Sequence, residues 1–377
     1  MRLSGRPQLM RSINRTLVLD LLMERGPLSR AELAAASGLS APAVSRAVAD
    51  LMAEGLVVEV GAGLSSGGRR PILLDVNPEA GAFLLLDIRP HRITAAVSGL
   101  DGQIVDRTER PTRARGRALV DQVLALAAEV RTRIRRPLRG LGATVPGVCL
   151  DGVVDQAPAL DWQDVPLADE LQSTIGCPVY LENDVNALVL GEQWQGALSG
   201  CQNAVGVVIG SGGVGAGILI GGRLYQGRDG GAGEIGSWWL GPVGPDQLLE
   251  DLTSVTAWAR QWAESRGEAV VRAPLDNFLA SLKARDSSAL AVLERVTGFL
   301  SAAVANLVTV LNPELVVLGG EVLLIGDLLI PALETAIRRH CPYPTEVVPA
   351  RLGEDGALLG LVRGLLDQSR NTVTFVE

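Results

Sequence analysis

Two short stretches of this chain concentrate residue types that can do chemistry. In LENDVNALVLGE, residues 181–192, Asn183 and Asp184 stand side by side where a short strand pattern gives way to a helical one. A carboxylate accepts hydrogen bonds from two hydroxyls, and an amide both donates and accepts, so the pair suits a polyol. Either residue would equally cap the helix that follows. In GEIGSWWLGPVGPDQLLE, residues 233–250, Gly233 and Gly236 bracket Glu234, Trp238 and Trp239 follow, and Glu250 closes the run. The stretch has neither His nor Cys, which removes the usual zinc ligands. The two indoles could be platforms for a sugar ring. Alternation would instead turn one inward and one outward, and packing is the expected role.

The elements that must position these residues follow from the flanking patterns. After NPEAG at 77–81 come three successive strands, AFLLLDI, RITAAVSGL and GQIVDRTER, with a turn at Asp101 and Gly102. Residues 117–136 read as a helix, GLGATVPGVCL as a strand, and PVYLENDVNALVLGEQW as a strand running into a helix. NAVGVVIGSGGVGAGILIGGRLYQG is a hairpin with a glycine-rich turn, and NPELVVLGGE is a strand ending in Gly319 and Gly320. The run from Gly210 to Gly217 could form a backbone nest for an anion, although a tight hairpin also needs glycines. The whole is an α/β architecture of two lobes, with a cleft where the glycine loops converge.

The first 76 residues have a different character. Leu17, Val18, Leu21 and Leu22 fall at helical spacing before Gly26-Pro27. Ser29 and Glu32 have capping-box spacing, Gly38 supplies a turn, and Ser40 with Pro42 opens a third helix. On that helix Val44, Val48, Leu51 and Met52 face inward, leaving Ala41, Ala43, Ser45, Arg46 and Ala49 outside. Two short helices around a glycine turn, the second with a small-residue outer face, match a helix-turn-helix. LVVEVGAGLSSGGRRPILLDV then reads as two strands around a tip carrying Arg69 and Arg70. A winged helix-turn-helix results. Ser40, Ala41, Ala43, Ser45, Arg46, Arg69 and Arg70 are its candidate contacts to double-stranded DNA, with few hydrogen-bonding groups for base edges. A three-helix interaction module is the competing assignment.

Bulk properties narrow the partners. The chain has 377 residues, enough for two or three domains, and a net charge of −8, so it is not a general nucleic-acid coat. Nine Arg against seven Asp and Glu give residues 1–76 about +2, leaving about −10 for the remainder. DNA binding is thereby confined to the N-terminus. Cys149, Cys177, Cys201 and Cys341 show no C-x-x-C spacing, and His91 and His340 are the only histidines, so buried thiols and no zinc site are expected. The apolar opening is broken by Asp20 and Glu24, and no uninterrupted run of about 18 apolar residues occurs. A cytoplasmic protein with no membrane span is expected.

These blocks, in this order and over nearly the whole chain, resemble the ROK family of repressors, open reading frames and sugar kinases, specifically its winged-helix transcriptional regulators. SSGGRRP, GAGEIG and LGEDGALLGLVRGLL add to the resemblance. It implies a winged helix-turn-helix over 1–76 followed by a two-lobed actin-like ATPase (sugar-kinase-like) domain over 77–377. Lobe one would take about 77–186 plus a C-terminal helix at about 353–370, and lobe two about 187–352. It also implies sugar contacts at Asn183, Asp184, Glu234, Ser237 and Glu250, with Asp184 at the family's catalytic-base position. Two departures argue against catalysis and metal. DIRPHRIT keeps Asp87 but puts Arg89 and Pro90 where the kinases have glycines, so no ATP cofactor is expected. Ser237 replaces the family's zinc-binding His and the cysteine cluster is missing, so no metal is expected. The resulting expectation is a sugar-responsive transcriptional regulator, a repressor, acting as a homodimer or dimer of dimers on operator DNA. Its rivals are a sugar kinase with an added DNA-binding arm and an effector-independent DNA-binding dimer.

Overall fold

The computed structural model describes residues 6–63, 70–240, 247–267 and 275–374. Three helices, α1 (Arg6–Arg25), α2 (Arg30–Ser37) and α3 (Ala41–Ala53), pack over a small sheet of β1 (Leu28–Ser29), β2 (Val57–Ala62) and β3 (Ile72–Val76) in the order β1-β3-β2. The capping box is formed at α2: the Glu32 N–H donates to Ser29 Oγ at 3.3 Å, and the Ser29 N–H donates to Glu32 Oε2 at 2.8 Å. Gly38 ends α2 at φ 68°, the left-handed value that favours glycine there. On α3 the buried residues are Val44, Ala47, Val48 and Leu51. Met52, expected inside, is half-buried, and Ala47 takes that place because it lies three residues beyond Val44 on the same face. Arg11 donates to Asp50 at 2.6 Å and Arg15 pairs with Glu54, so α1 is clamped to the back of α3.

Two five-stranded sheets form the rest of the frame, and they share one topology. In lobe one, β4 (Ala82–Ile88), β5 (Arg92–Gly99) and β6 (Ile104–Pro111) are antiparallel, and β7 (Leu138–Val145) then β11 (Val179–Asn183) add in parallel beyond β4. In lobe two, β12 (Ala204–Gly210), β13 (Gly213–Ile220) and β14 (Arg223–Leu224) are antiparallel, and β15 (Leu315–Gly319) then β16 (Glu346–Pro349) add in parallel beyond β12. Each sheet reads third, second, first, fourth, fifth strand. The helix expected over 117–136 is α4 (Gly116–Arg131); it stops short where the bonding tightens to i→i−3, Arg133 N–H to Val130 O at 3.0 Å and Ile134 N–H to Arg131 O at 3.2 Å. A three-stranded flap of β8 (Val148–Leu150), β9 (Val153–Ala157) and β10 (Trp162–Val165) precedes α5 (Leu167–Ile175).

Lobe two is completed by α7 (Leu249–Thr253), α8 (Val255–Ser265), α9 (Leu275–Lys283), α10 (Ser287–Leu311) and α11 (Gly326–His340). By length and composition alone α10 could cross a bilayer, with a mean hydropathy of 1.4 in its most apolar window, although it holds no unbroken apolar run of about 18 residues. Its Val292, Val296, Leu300, Val304 and Val308 are buried in the lobe-two core beside Trp258 and Phe278.

The lobes are joined by α6 (Asp184–Gln195), which runs unbroken through the expected lobe boundary at 186/187, and by α12 (Gly356–Thr374) crossing it. Their backbones touch: a Cβ added to Gly360 would stand 1.7 Å from Ala187 O, and one on Gly191 2.0 Å from Gly356 O. Trp194, at the far end of α6, is buried in one apolar cluster with Val18, Leu21 and Leu22 of α1 and Leu358 and Leu361 of α12. The N-terminal module therefore shares its core with lobe one.

Candidate functional site

The carboxyl ends of β4, β7 and β11 meet at one edge of the lobe-one sheet, the position where open α/β sheets bind ligands. Asp87, at the end of β4, is buried and pairs in register with Thr144 of β7, whose hydroxyl donates to Asp87 Oδ1 at 2.9 Å. The turn that follows carries Arg89 and Pro90. Arg89 Nε donates to Asp87 Oδ2 at 2.7 Å, and the guanidinium lies in the field of Asp184 as well. Desolvation disfavours its charge, but Asp87 and Asp184 more than compensate and its pKa is raised. Where the resemblance puts a glycine for phosphate approach, the chain has a cation paired to its own carboxylate.

The equivalent turn of lobe two, between β12 and β13, is also filled. The Ser211 N–H donates to the carboxylate of Glu321, and a Cβ on Gly210 would stand 3.3 Å from Glu321 Oε2. The turn has the anion-binding character its glycines suggest, and the anion is a side chain of the protein. Glu321 follows directly on Gly319 and Gly320; its role was not foreseen from sequence, although its place after that pair was the available signal.

Asn183 caps α6. Its Oδ1 accepts from the Val185 and Asn186 N–H groups at 2.9 and 3.1 Å, and its Nδ2 donates to Gly147 O at 3.0 Å. Asp184, half-buried in the first helical turn, accepts only its neighbour's N–H at 3.0 Å and is the more available of the two. Burial, together with Asp87 and Glu234, lifts its pKa to about 7, against the opposing pull of Arg89. Glu234 lies open on the rim, its pKa raised by partial desolvation and by Glu250. Glu250, in the first turn of α7, is raised by desolvation and by Asp251. A Cβ on Gly236 would stand 2.5 Å from Val214 O and 3.0 Å from Glu250 Oε2, so that glycine makes room for the carboxylate. Ser237 is exposed on the same rim turn, its N–H bonded to Glu234 O at 3.2 Å.

The tryptophans split as alternation predicts. Trp238 packs on the lobe-two core and Trp239 is 69% exposed. Trp239 pairs through its backbone with Leu248, and Leu249 N–H donates to Trp238 O at 2.9 Å, which closes the base of the loop that the family ties with zinc. The rim residues do not fit that ion: Ser237 is a poor zinc ligand, and no group of three or more His, Cys, Asp and Glu suited to a metal occurs among the described residues. Cys149, Cys177 and Cys341 are buried thiols, while Cys201, expected buried, is half-buried.

On the N-terminal module, Ala41, Ser45, Arg46 and Ala49 are exposed along α3, and Ala43, expected fully outside, is half-buried by its position between Ser40 and Val44. Ser40 is the N-cap residue of α3, as expected, although its side chain makes no cap bond. Arg46 Nε lies along its own helix, donating to Pro42 O at 3.3 Å. Arg70 is exposed, and Arg69 falls outside the described residues.

A duplicated sheet topology joined to a winged helix-turn-helix defines an actin-like two-lobed protein with a DNA-binding module. The ROK family model matches residues 84–365, and a MarR family model matches residues 12–64. The chain belongs to the ROK family. It is 28% identical over 390 residues to a xylose repressor of Caldicellulosiruptor bescii, covering 95% of this chain and 96% of that one. A glucokinase of Halalkalibacterium halodurans is 32% identical over 320 residues, covering 77% of this chain and 96% of its own. Among solved structures, a ROK family transcriptional regulator, a homologue of the E. coli MLC protein, superposes with a TM-score of 0.81 at 25% identity, over 96% of this chain and 99% of that one.

Proposed function

We propose that this chain is a cytoplasmic, DNA-binding transcriptional regulator, a repressor, whose effector is a sugar held between the lobes by Asp184, Glu234 and Glu250. The observation that carries the choice of regulator over kinase is Arg89, ion-paired to Asp87 on the turn where phosphate must approach. Pro90 beside it has no N–H to offer a phosphate. Full-length similarity to repressors supports the same reading, since the similarity to the glucokinase covers only part of the chain. The binding groups fit a neutral polyol: clustered carboxylates accept from hydroxyls, and no zinc or nucleotide is required. Two copies would place two α3 helices on the half-sites of a pseudo-palindrome. The wing, with Arg69 and Arg70, would then follow the flanking phosphates.

The test is binding of the full chain to duplex DNA from upstream of its own gene, with and without D-xylose and D-glucose. Arg46→Ala and Arg69→Ala are each expected to lower the salt slope of binding by about 1. A sugar at about 100 times its Kd is expected to raise the unfolding free energy by roughly 2.7 kcal/mol and to change operator affinity. No binding to any such DNA, or the same affinity across a broad sugar panel, would sink the corresponding half of the proposal.

A further inference from the structure

The effector cleft is assembled from two lobes, and something must hold its halves in register. Asn183 and Asp184 ride on lobe one, at the end of β11. Glu234 rides on the segment 225–236, a strap that follows β14 of lobe two. Backbone bonds fix both ends of the strap to β13: Tyr225 N–H donates to Ile218 O at 2.8 Å, and Ala216 N–H donates to Gly233 O at 2.8 Å. Its middle lies on lobe one, where a Cβ at Gly230 would stand 2.6 Å from Cys149 O.

Glu182 immediately precedes Asn183 and is 1% exposed. Four donors converge on its carboxylate: Tyr180 OH at 2.8 Å, Asn183 N–H at 3.0 Å, Asn186 Nδ2 at 3.1 Å and Gln226 Nε2 at 3.1 Å. The first three belong to lobe one and to the start of α6. The fourth comes from the strap. A buried carboxylate needs its acceptor sites filled, and the three lobe-one donors hold Glu182 in place while the fourth gives the arrangement its direction. Among the described residues, other buried carboxylates do not bridge the lobes this way; Glu192, for instance, accepts the backbone N–H groups of Ala197, Arg351 and Leu352.

We infer that Glu182 is a positioning residue of the effector site, and that its bond to Gln226 is the latch that sets how far Glu234 stands from Asp184. Resting on the effector reading above, this adds a residue pair that itself touches no sugar. Because one end of the latch is anchored on each lobe, any change of lobe closure must stretch, rotate or break it.

The experiment compares the wild-type full chain with Gln226→Leu, which removes the strap's donor and leaves three on Glu182, and with the conservative Gln226→Asn. Hydrogen–deuterium exchange across 225–236 is expected to accelerate about tenfold in Gln226→Leu, as loss of one charge-assisted hydrogen bond implies. The melting temperature is expected to stay close to wild type, while the Kd for whichever of D-xylose and D-glucose binds rises by about tenfold. Gln226→Asn, whose shorter amide still carries the donor, is expected to fall between. Exchange within twofold of wild type across the strap overturns the latch, as does a Kd change matched by a proportionate loss of stability. If neither sugar binds the wild type, the effector reading falls for those two sugars, and the exchange result still decides the latch.

Discussion

At the scale of single residues, the cleft is a set of charges that the protein answers from within. Asp87 and Asp184 are the carboxylates that resemblance assigns to phosphate approach and proton transfer, and Arg89 stands close to both. Asp184 still carries a cost. Its pKa rises from 3.8 to about 7 on folding, so between those values the native state holds a proton that the unfolded chain has released. The contribution of this group to stability therefore falls as pH rises through that window. Asp184→Asn is expected to raise the melting temperature relative to wild type at pH 8 and to make little difference at pH 4, as differential scanning fluorimetry at the two pH values will show. A wild-type advantage at pH 8 would mean that Asp184 is stabilised there by partners other than Arg89. Sequence reading reached these residues by type and spacing. It missed Glu182, Gln226, Thr144 and Glu321, because a hydrogen bond between residues 57 positions apart, such as Thr144 to Asp87, leaves no local pattern to read.

At the scale of elements, glycine separates the positions where backbones touch from those where nothing is near. Gly360 of α12 lies against Ala187 of α6 with no space for a methyl group, whereas Gly298 sits exposed in α10 with nothing within 4 Å of an added Cβ. Gly360→Ala is expected to destabilise the protein by about 3 kcal/mol or more, since overpacking here displaces backbone rather than a flexible side chain. Gly298→Ala is expected to stabilise it by about 0.5–1 kcal/mol through helix propensity. Chemical denaturation of both variants checks the pair, and the signs should be opposite. Both glycines look alike in sequence, each a glycine within an apolar helical pattern. The capping box of α2, by contrast, was fully legible, because its partners are three residues apart.

At the scale of the whole molecule, the two sheets of identical strand order carry equivalent hairpin turns, and each turn is met by a side chain of the protein itself, one by Arg89 paired to Asp87 and one by Glu321. A coupled assay with ATP and common hexoses is expected to show no sugar-dependent ADP formation; turnover above the protein-free rate would restore the kinase reading. The strand patterns and motif order made this architecture legible, down to the hairpin turns. The joining of lobe one to the N-terminal module was not, because nothing local in the apolar spacing of α1 says that Val18 and Leu22 share a core with Trp194.

That last contact has a thermodynamic corollary. Twelve residues of α6 place Asp184 at one end and Trp194 at the other, a helix of about 18 Å with the proposed ligand at its head and the DNA-binding module at its foot. If sugar and operator favour different arrangements of the lobes that this helix connects, their two equilibria are linked, and linkage is reciprocal. Whatever factor the proposed sugar took from the affinity for operator, operator would take from the affinity for that sugar, so a promoter fragment would act as a competitor in a sugar titration without ever touching the sugar-binding residues.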